Sequence, residues 1–370
     1  MDLNGKRLLI VRLSSLGDLV LVLPAFNALR EAYPKAYIAW LVREDLKEVL
    51  SGTPGLDEVI PVRIPSFTDK YRSPQRVLSG VVKWLRAYFE LWRRFKRDKF
   101  DMAIDFQGLF KSAVLAFLLA RDRYGFRNGK ELSPLFLNKP LFLRDKSRHA
   151  VDNYLDVVSY FTRGRREVRF PLFVPQEAYE KMRAFLTSHG VHPGKDFVVF
   201  CAPTARWETK FWTQEGFAEV ADSLVETYGA KVVFSGLAQE GPYIEGITRL
   251  MRHKAVIACG YTEIKDFFAL IALSHLYIGV DSGAMHVARA LGVPVVALFG
   301  PSNPKWIGPY GQNRGVVRVA LPCSPCNKRR CLQRTCMEAI TPRMVLKEVE
   351  EVLTGRDATM QVDCLHPERG

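Results

Sequence analysis

Along the chain, apolar runs of four to seven residues alternate with longer amphipathic stretches. A short continuous apolar run reads as a strand buried on both faces. Apolar residues spaced three and four apart read as a helix packed on one side. In the first half the runs predict strands at 7–13 (RLLIVRL), 37–42 (YIAWLV), 58–62 (EVIPV) and 101–105 (DMAID), with helices at 24–33, 44–51, 79–97 and 108–120. The pattern then restarts. Strands are predicted at 196–201 (DFVVFC), 231–235 (KVVFS), 255–258 (AVIA), 276–280 (LYIGV) and 294–299 (PVVALF), and helices at 214–228, 241–252, 263–273 and 283–291. Between the halves, 163–176 (RGRREVRFPLFVPQ) is charged and then proline-punctuated, as a linker would be. This alternation predicts an α/β protein of two Rossmann-like, doubly wound domains facing across a cleft. They would span 1–170 and 171–350, with a C-terminal tail at 351–370. No short-period repeat points to a solenoid.

Length and composition agree with that picture: 370 residues give room for two domains, and 48% hydrophobic with 25% charged residues is ordinary for a globular protein. The net charge of +14 adds something, because it favours an anionic partner: nucleic acid, a phosphorylated ligand or an anionic membrane face. No helix-turn-helix, RRM or OB pattern accompanies the charge, which speaks against nucleic acid. No apolar run reaches the ~18–20 residues of a transmembrane helix. Arg12 and Asp18 interrupt the first apolar stretch, so it does not read as a signal peptide. The expectation is a cytoplasmic protein able to touch a membrane from inside. Of seven cysteines, Cys201, Cys259 and Cys364 are scattered, while Cys323, Cys326, Cys331 and Cys336 crowd together. The odd count argues against a disulfide framework.

In an open α/β sheet, ligands bind outside the carboxyl ends of the strands, so polar residues just past each run are the candidates for chemistry. In YIGVDSGAMHVARALGVPVVALFGPSNPKWIGPYG, residues 277–311, a strand ends at Val280, Asp281-Ser282-Gly283 turn the chain, and an amphipathic helix follows. Ser282 and Gly283 stand where a helix offers free N–H groups to a diphosphate. The plainer reading makes Asp281 or Ser282 an N-cap. FGPSNPKW then supplies a second polar loop at the same edge. Upstream, CAPTARWETKFW places Thr204, Arg206 and Lys210 after a buried strand, where lysine and arginine suit phosphate charge. Lys210 is equally readable as a solvated loop lysine. In KFDMAIDFQGLFKSAV, Asp105, Gln107, Gly108 and Lys111 follow a strand end, where Asp105 either faces the cleft or caps the next helix.

Two stretches allow several readings. Residues 81–100 (VVKWLRAYFELWRRFKRDKF) interleave seven Lys/Arg with Trp84, Tyr88, Phe89, Trp92 and Phe95. They suit a membrane interface, or a surface helix whose aromatics belong to the core. The C-x2-C-x4-C-x4-C cluster suits a structural zinc, a disulfide or free thiols.

The turn after the first strand, Ser14-Ser15-Leu16-Gly17-Asp18, has an acid where a nucleotide-binding turn would carry glycines. Leu21 stands where a capping box from Asp18 would want Glu or Gln, and Pro24 suggests that the regular helix begins near itself. On that reading Asp18 is not occupied as an N-cap.

Taken in order, RLSSLGDLVLVLPA, IDFQGLFKSA, RWETKFW, GVDSGAMHVARALGVPVVALFGPSNP and CSPCNKRRCLQRTCMEAITPRMVLKEV resemble glycosyltransferase family 9, the heptosyltransferases of the lipopolysaccharide inner core. The SSLGD form is most similar to heptosyltransferases that add the first heptose. The resemblance implies the GT-B fold, with the acceptor on the first domain and the nucleotide-sugar donor on the second. It implies an inverting, metal-independent transfer of heptose from ADP-heptose to Kdo, on an anionic lipid A acceptor at the inner membrane. No cofactor is required, and nucleic acid is not a partner. The alternative is a family member acting at another core position or with another nucleotide sugar. Carried over by motif, Asp18 is the general base and Lys210 neutralises the leaving diphosphate. Thr204, Arg206, Glu240, Asp281, Ser282, Gly283 and His286 serve the donor; Ser15, Gly17, Gln107, Lys111 and Lys130 serve the acceptor.

Overall fold

The computed structural model describes residues 2–64, 74–162, 164 and 167–355. Positions 163, 165 and 166 of the expected linker, residues 356–370 of the expected tail, and Cys364 lie outside them. The chain divides into two compact units: Met1–Lys146 with Val151–Phe173, and Ser147–Ala150 with the chain from Val174 onward.

Unit 1 comprises β1 (Arg7–Val11), α1 (Leu16–Ala32), β2 (Tyr37–Arg43), α2 (Lys47–Leu50), β3 (Glu58–Val62), α3 (Pro74–Phe95), β4 (Phe100–Asp105), α4 (Phe110–Leu119), β5 (Ala120–Phe126), β6 (Lys139–Phe142) and α5 (Ala150–Thr162). Its sheet runs β3-β2-β1-β4-β5-β6, with every pairing parallel. Leu8–Val11 and Ile38–Val42 are buried, as expected of parallel strands covered on both faces.

Helix α1 differs from the sequence expectation. It starts at Leu16, with Ser15 as N-cap, and carries Pro24 in its interior. Leu19–Phe26 are all buried. Burying that many apolar side chains, at about 1.5–3 kcal/mol each, outweighs the ~3 kcal/mol cost of an interior proline. β5 and β6 also escaped prediction. β5 reads ARDRYGF, and its three charged residues at 121–123 hide a strand whose apolar part is only Tyr124–Phe126.

Unit 2 comprises α6 (Gln176–Ser188), β7 (Val198–Ala202), α7 (Gln214–Tyr228), β8 (Lys231–Phe234), α8 (Gly241–Leu250), β9 (Val256–Ile257), α9 (Ile264–Ala272), β10 (Leu276–Val280), α10 (Gly283–Ala290), β11 (Val295–Leu298), α11 (Pro304–Ile307), β12 (Val316–Val317), α12 (Thr335–Glu338) and α13 (Pro342–Thr354). Helix α7 shows the local logic. The Thr213 hydroxyl accepts from the Gly216 N–H at 3.1 Å, and Gly229 ends the helix at φ +62°, where a side chain would be strained. α13 begins with Thr341 as cap and Pro342 in the first turn, and Val345 and Val349 enter the unit's core beside Trp212 and Met337.

The second sheet runs β12-β11-β10-β7-β8-β9. Counted within each unit, both sheets have the order 3-2-1-4-5-6, the doubly wound Rossmann arrangement of the GT-B fold. Strand order therefore reverses between β1 and β4, and again between β7 and β10. Among the described residues, no helix is long and apolar enough to cross a membrane.

Candidate functional site

Each reversal point gathers the polar residues singled out from the sequence. In unit 1, the carboxyl end of β1 delivers Arg12, which is buried. Its guanidinium donates to the Phe106 carbonyl at 2.7 Å and meets Asp18 Oδ1 at 2.6 Å. Burial alone would weaken the Arg12 charge, but Asp18, Tyr154 and Asp105 outweigh it and hold the guanidinium above its ordinary pKa. The other oxygen of Asp18 accepts from the Ser15 N–H at 2.8 Å and the Ser15 hydroxyl at 2.9 Å. Asp18 is thus the third residue of α1, closing back on its N-cap as a capping-box acid does. The expectation that it lies outside the cap is corrected. Gly17 is buried in the same first turn.

Across the reversal, Asp105 ends β4. Its Oδ1 accepts from the Gln107 and Gly108 N–H groups at 2.9 and 3.1 Å, and its Oδ2 from the Ser112 hydroxyl at 2.9 Å. Asp105 therefore organises the turn into α4. Burial pushes its carboxyl up despite these bonds. Gln107 ties the two strand ends together by accepting from the Leu13 N–H at 2.7 Å. Lys111 lies in the first turn of α4, half-buried, and the exposed Lys130 joins this edge through its backbone N–H to the Gly108 carbonyl at 2.9 Å.

In unit 2, Lys210 follows β7 in the short turn Glu208–Lys210, and Asp281 follows β10. They form an ion pair of 2.6 Å, and Ser302, past β11, donates its hydroxyl to the same Asp281 oxygen. The Lys210 ammonium also lies 4.9 Å from the Trp207 ring centroid. Ser282 is the N-cap of α10 and Gly283 its first residue, so their N–H groups have no partner within the helix; His286 is buried one turn on. A second pair forms beside them. Thr204 donates to Glu240 Oε2 at 2.8 Å, and the Leu237 N–H donates to the same oxygen at 2.7 Å. Arg206 is exposed, and among the described residues no acidic group pairs with it.

Behind Lys210, the four clustered cysteines line one pocket of about 50 Å³, together with Thr209 and Pro301. The Thr209 hydroxyl donates to the Lys328 carbonyl at 3.0 Å, and the Cys326 N–H donates to the Pro301 carbonyl at 3.0 Å. The cysteine loop thus braces the segments carrying Lys210 and Ser302. Among the described residues, no three His, Cys, Asp or Glu side chains are gathered closely enough to hold a metal ion.

Sequence reasoning missed Arg12 and Ser302 as members of these clusters. Arg12 carries a signal, a lone arginine near the end of an apolar run, but in sequence it reads only as an interruption of that run. Ser302 lay within the second polar loop without being singled out.

The model of glycosyltransferase family 9 (heptosyltransferase) matches residues 88–337. Lipopolysaccharide heptosyltransferase 1 of Pseudomonas aeruginosa is 27% identical over 373 residues, covering 94% of this chain and 98% of that protein. Lipopolysaccharide heptosyltransferase 2 of Salmonella typhimurium is 25% identical, covering 94% and 99%. The crystal structure of a family 9 glycosyl transferase from Veillonella parvula superposes with a TM-score of 0.78 at 26% identity, covering 96% of this chain and 99% of that one.

Proposed function

This chain belongs to glycosyltransferase family 9 and is a glycosyltransferase; from that premise we propose that it transfers heptose from ADP-heptose to Kdo of the lipopolysaccharide inner core, with inversion and without a metal. The observation that carries the reading is the carboxylate of Asp18, held by the buried Arg12 at the strand-order reversal of unit 1. An alcohol is a weak nucleophile. As its oxygen attacks the anomeric carbon, a carboxylate takes the proton, and the bond from that carbon to the diphosphate breaks with ADP as leaving group. One base suffices for a single displacement with inversion.

Unit 2 would supply the opposite requirement. The leaving diphosphate gathers negative charge, and Lys210 with the N–H groups of Ser282 and Gly283 can meet it there. Because these groups carry positive charge to the diphosphate, the transfer needs no metal. Asp281 orients Lys210 through one carboxylate oxygen and offers the other to donor sugar hydroxyls. Glu240, held by Thr204, suits the nucleotide ribose, with Arg206 on the loop that carries Thr204 and His286 on α10. Ser15, Gly17, Gln107, Lys111 and Lys130 line the acceptor edge of unit 1, where two lysines meet phosphates or carboxylates of a membrane-borne acceptor.

The deciding experiment is product analysis with ADP-heptose and Kdo-lipid A, in the presence of EDTA, with Asp18→Asn beside the wild type. A single inverted heptose on Kdo, lost in the variant, is the expected result. Turnover only of an acceptor already carrying one heptose would instead favour transfer at the second core position. That reading has the 25% identity to a heptosyltransferase 2 behind it.

A further inference from the structure

Helix α3 has three sectors where a surface helix ordinarily has two. Ala87, Tyr88, Leu91 and Phe95 are buried in the core of unit 1. Beside them, Val82, Leu85 and Phe89 follow at three- and four-residue spacing and are each 57–58% exposed. The third sector is basic, and Glu90 is the only acid in the helix. Arg86 pairs with Glu90 and Arg94 with Glu58, whereas among the described residues Lys83, Arg93 and Arg97 have no acidic partner.

The apolar sector does not stand alone. Trp84 stacks on Phe110 of α4 with ring centroids 5.9 Å apart, Phe110 meets Phe136 edge-on at 5.2 Å, and Phe136 meets Phe117 at 6.1 Å. This aromatic chain joins α3 to α4 and to the turn Ser133–Phe136. Those neighbours expose further apolar side chains: Phe117 at 47%, Leu132 at 69% and Leu135 at 77%. The guanidinium of Arg123 lies 5.1 Å from the Phe117 ring, a cation at the rim of the apolar surface.

We propose that this face of unit 1, built on α3, α4 and the Ser133–Phe136 turn, docks on an anionic lipid bilayer. The aliphatic and aromatic side chains that stay about half exposed or more seat at the headgroup–acyl boundary, while the flanking lysines and arginines meet anionic headgroups. A nucleic acid would use the charge but gain nothing from Val82 or Leu85. A second copy of the chain would set like charges against each other. Placement adds a reason: α4 carries Lys111 in its first turn, and the loop holding Lys130 leads into the Ser133–Phe136 turn. A protein seated this way keeps its acceptor edge beside the lipid from which an acylated acceptor projects. That last point rests on the proposed function; the docking surface itself does not.

The test is flotation of the full chain with phosphatidylglycerol–phosphatidylcholine vesicles against pure phosphatidylcholine vesicles. Wild type should bind the anionic vesicles and release them as salt rises. Leu85→Ser with Phe89→Ser should lower partition at least about tenfold. Lys83→Ser with Arg93→Ser and Arg97→Ser should lower it on the order of 100-fold. Tyr228→Ser with Leu250→Ser, also exposed but on unit 2, should leave it unchanged. Both unit 1 variants should retain wild-type turnover of a deacylated, water-soluble acceptor. Wild type without preference for anionic vesicles, or either unit 1 variant binding them as wild type does, overturns the proposal. Vesicle binding without turnover of any heptose acceptor would overturn the function and leave the docking surface standing.

Discussion

The two strand-order reversals carry the same device with its polarity inverted. In unit 1 the buried partner of the ion pair is the cation: the Arg12 side chain is 8% exposed and Asp18 is 36% exposed. In unit 2 the buried partner is the anion: Asp281 is 4% exposed and Lys210 is 15% exposed. A buried charge cannot leave its site cheaply, so in each pair the buried member is scaffold and the other is presented. One unit presents a carboxylate and the other an ammonium. For a displacement that removes a proton at one end and delivers charge to a diphosphate at the other, that is the required division of labour.

The comparison breaks first if the presented groups are dispensable. Asp18→Asn keeps an oxygen for the Ser15 N–H but cannot accept a proton, and kcat should fall about 10³-fold. Steady-state rates, taken where circular dichroism reports a folded variant, check this; a loss under tenfold removes Asp18 from its role. Next in size is Lys210→Met, which keeps the stem packed on Trp207 and deletes the charge. Expected is a fall of about 10²-fold in kcat/KM for the donor, with acceptor KM unchanged. An effect confined to the acceptor would invert the assignment of the two units.

The scaffold members sharpen the comparison with smaller effects. Arg12→Lys keeps a charge but loses the fork that serves Asp18 and the Phe106 carbonyl together. It should lower kcat about tenfold and leave donor KM alone. Asp281→Asn should do the reverse, raising donor KM by a similar factor, because it removes the negative charge that positions Lys210. Measured side by side, two variants that moved the same kinetic constant would show that the pairs do not work as opposites.

Of these two scaffold members, Asp281 is legible in its turn, and Arg12 is where sequence reading stops. Buried parallel strands announce themselves, so β1, β2, β7, β10 and β11 were legible as apolar runs, and with them the polar turns that end them. The turn after a strand can be read from its neighbours in the chain; the side chain bracing it from beneath cannot. Arg12 reads as a flaw in an apolar run until the fold sets Phe106 and Tyr154 around it. Asp18 was legible as an acid in an unusual turn, yet its place in α1 was not, because Pro24 obeys a local rule that the burial of Leu19–Phe26 overrides. β5 was hidden for the converse reason, its charged start outweighing three apolar residues.

The smallest effect concerns two supporting acids, one per unit, whose pH dependences have opposite signs. Asp105 lies behind the unit 1 pair, and burial pushes its carboxyl up more than its three hydrogen bonds hold it down. Asp222, on α7 of unit 2, is also partly desolvated, which alone would raise it. The N–H groups of Arg252 and His253 and the Arg252 guanidinium outweigh that and hold it below the ordinary range. Where the folded pKa is raised, the folded state holds the extra proton. Stability from Asp105 is therefore full below about pH 4 and is lost as pH rises through its folded value. Where it is depressed, the unfolded state holds the extra proton. Stability from Asp222 is therefore full above about pH 4 and is lost as pH falls through its folded value. Denaturant unfolding of Asp105→Asn and Asp222→Asn, each subtracted from wild type between pH 2 and 7, should give two curves of about 1–2 kcal/mol that slope in opposite directions. Parallel curves would mean that burial governs both acids alike. The unit 2 hydrogen bonds would then be weaker than their lengths of 2.9 and 3.0 Å imply.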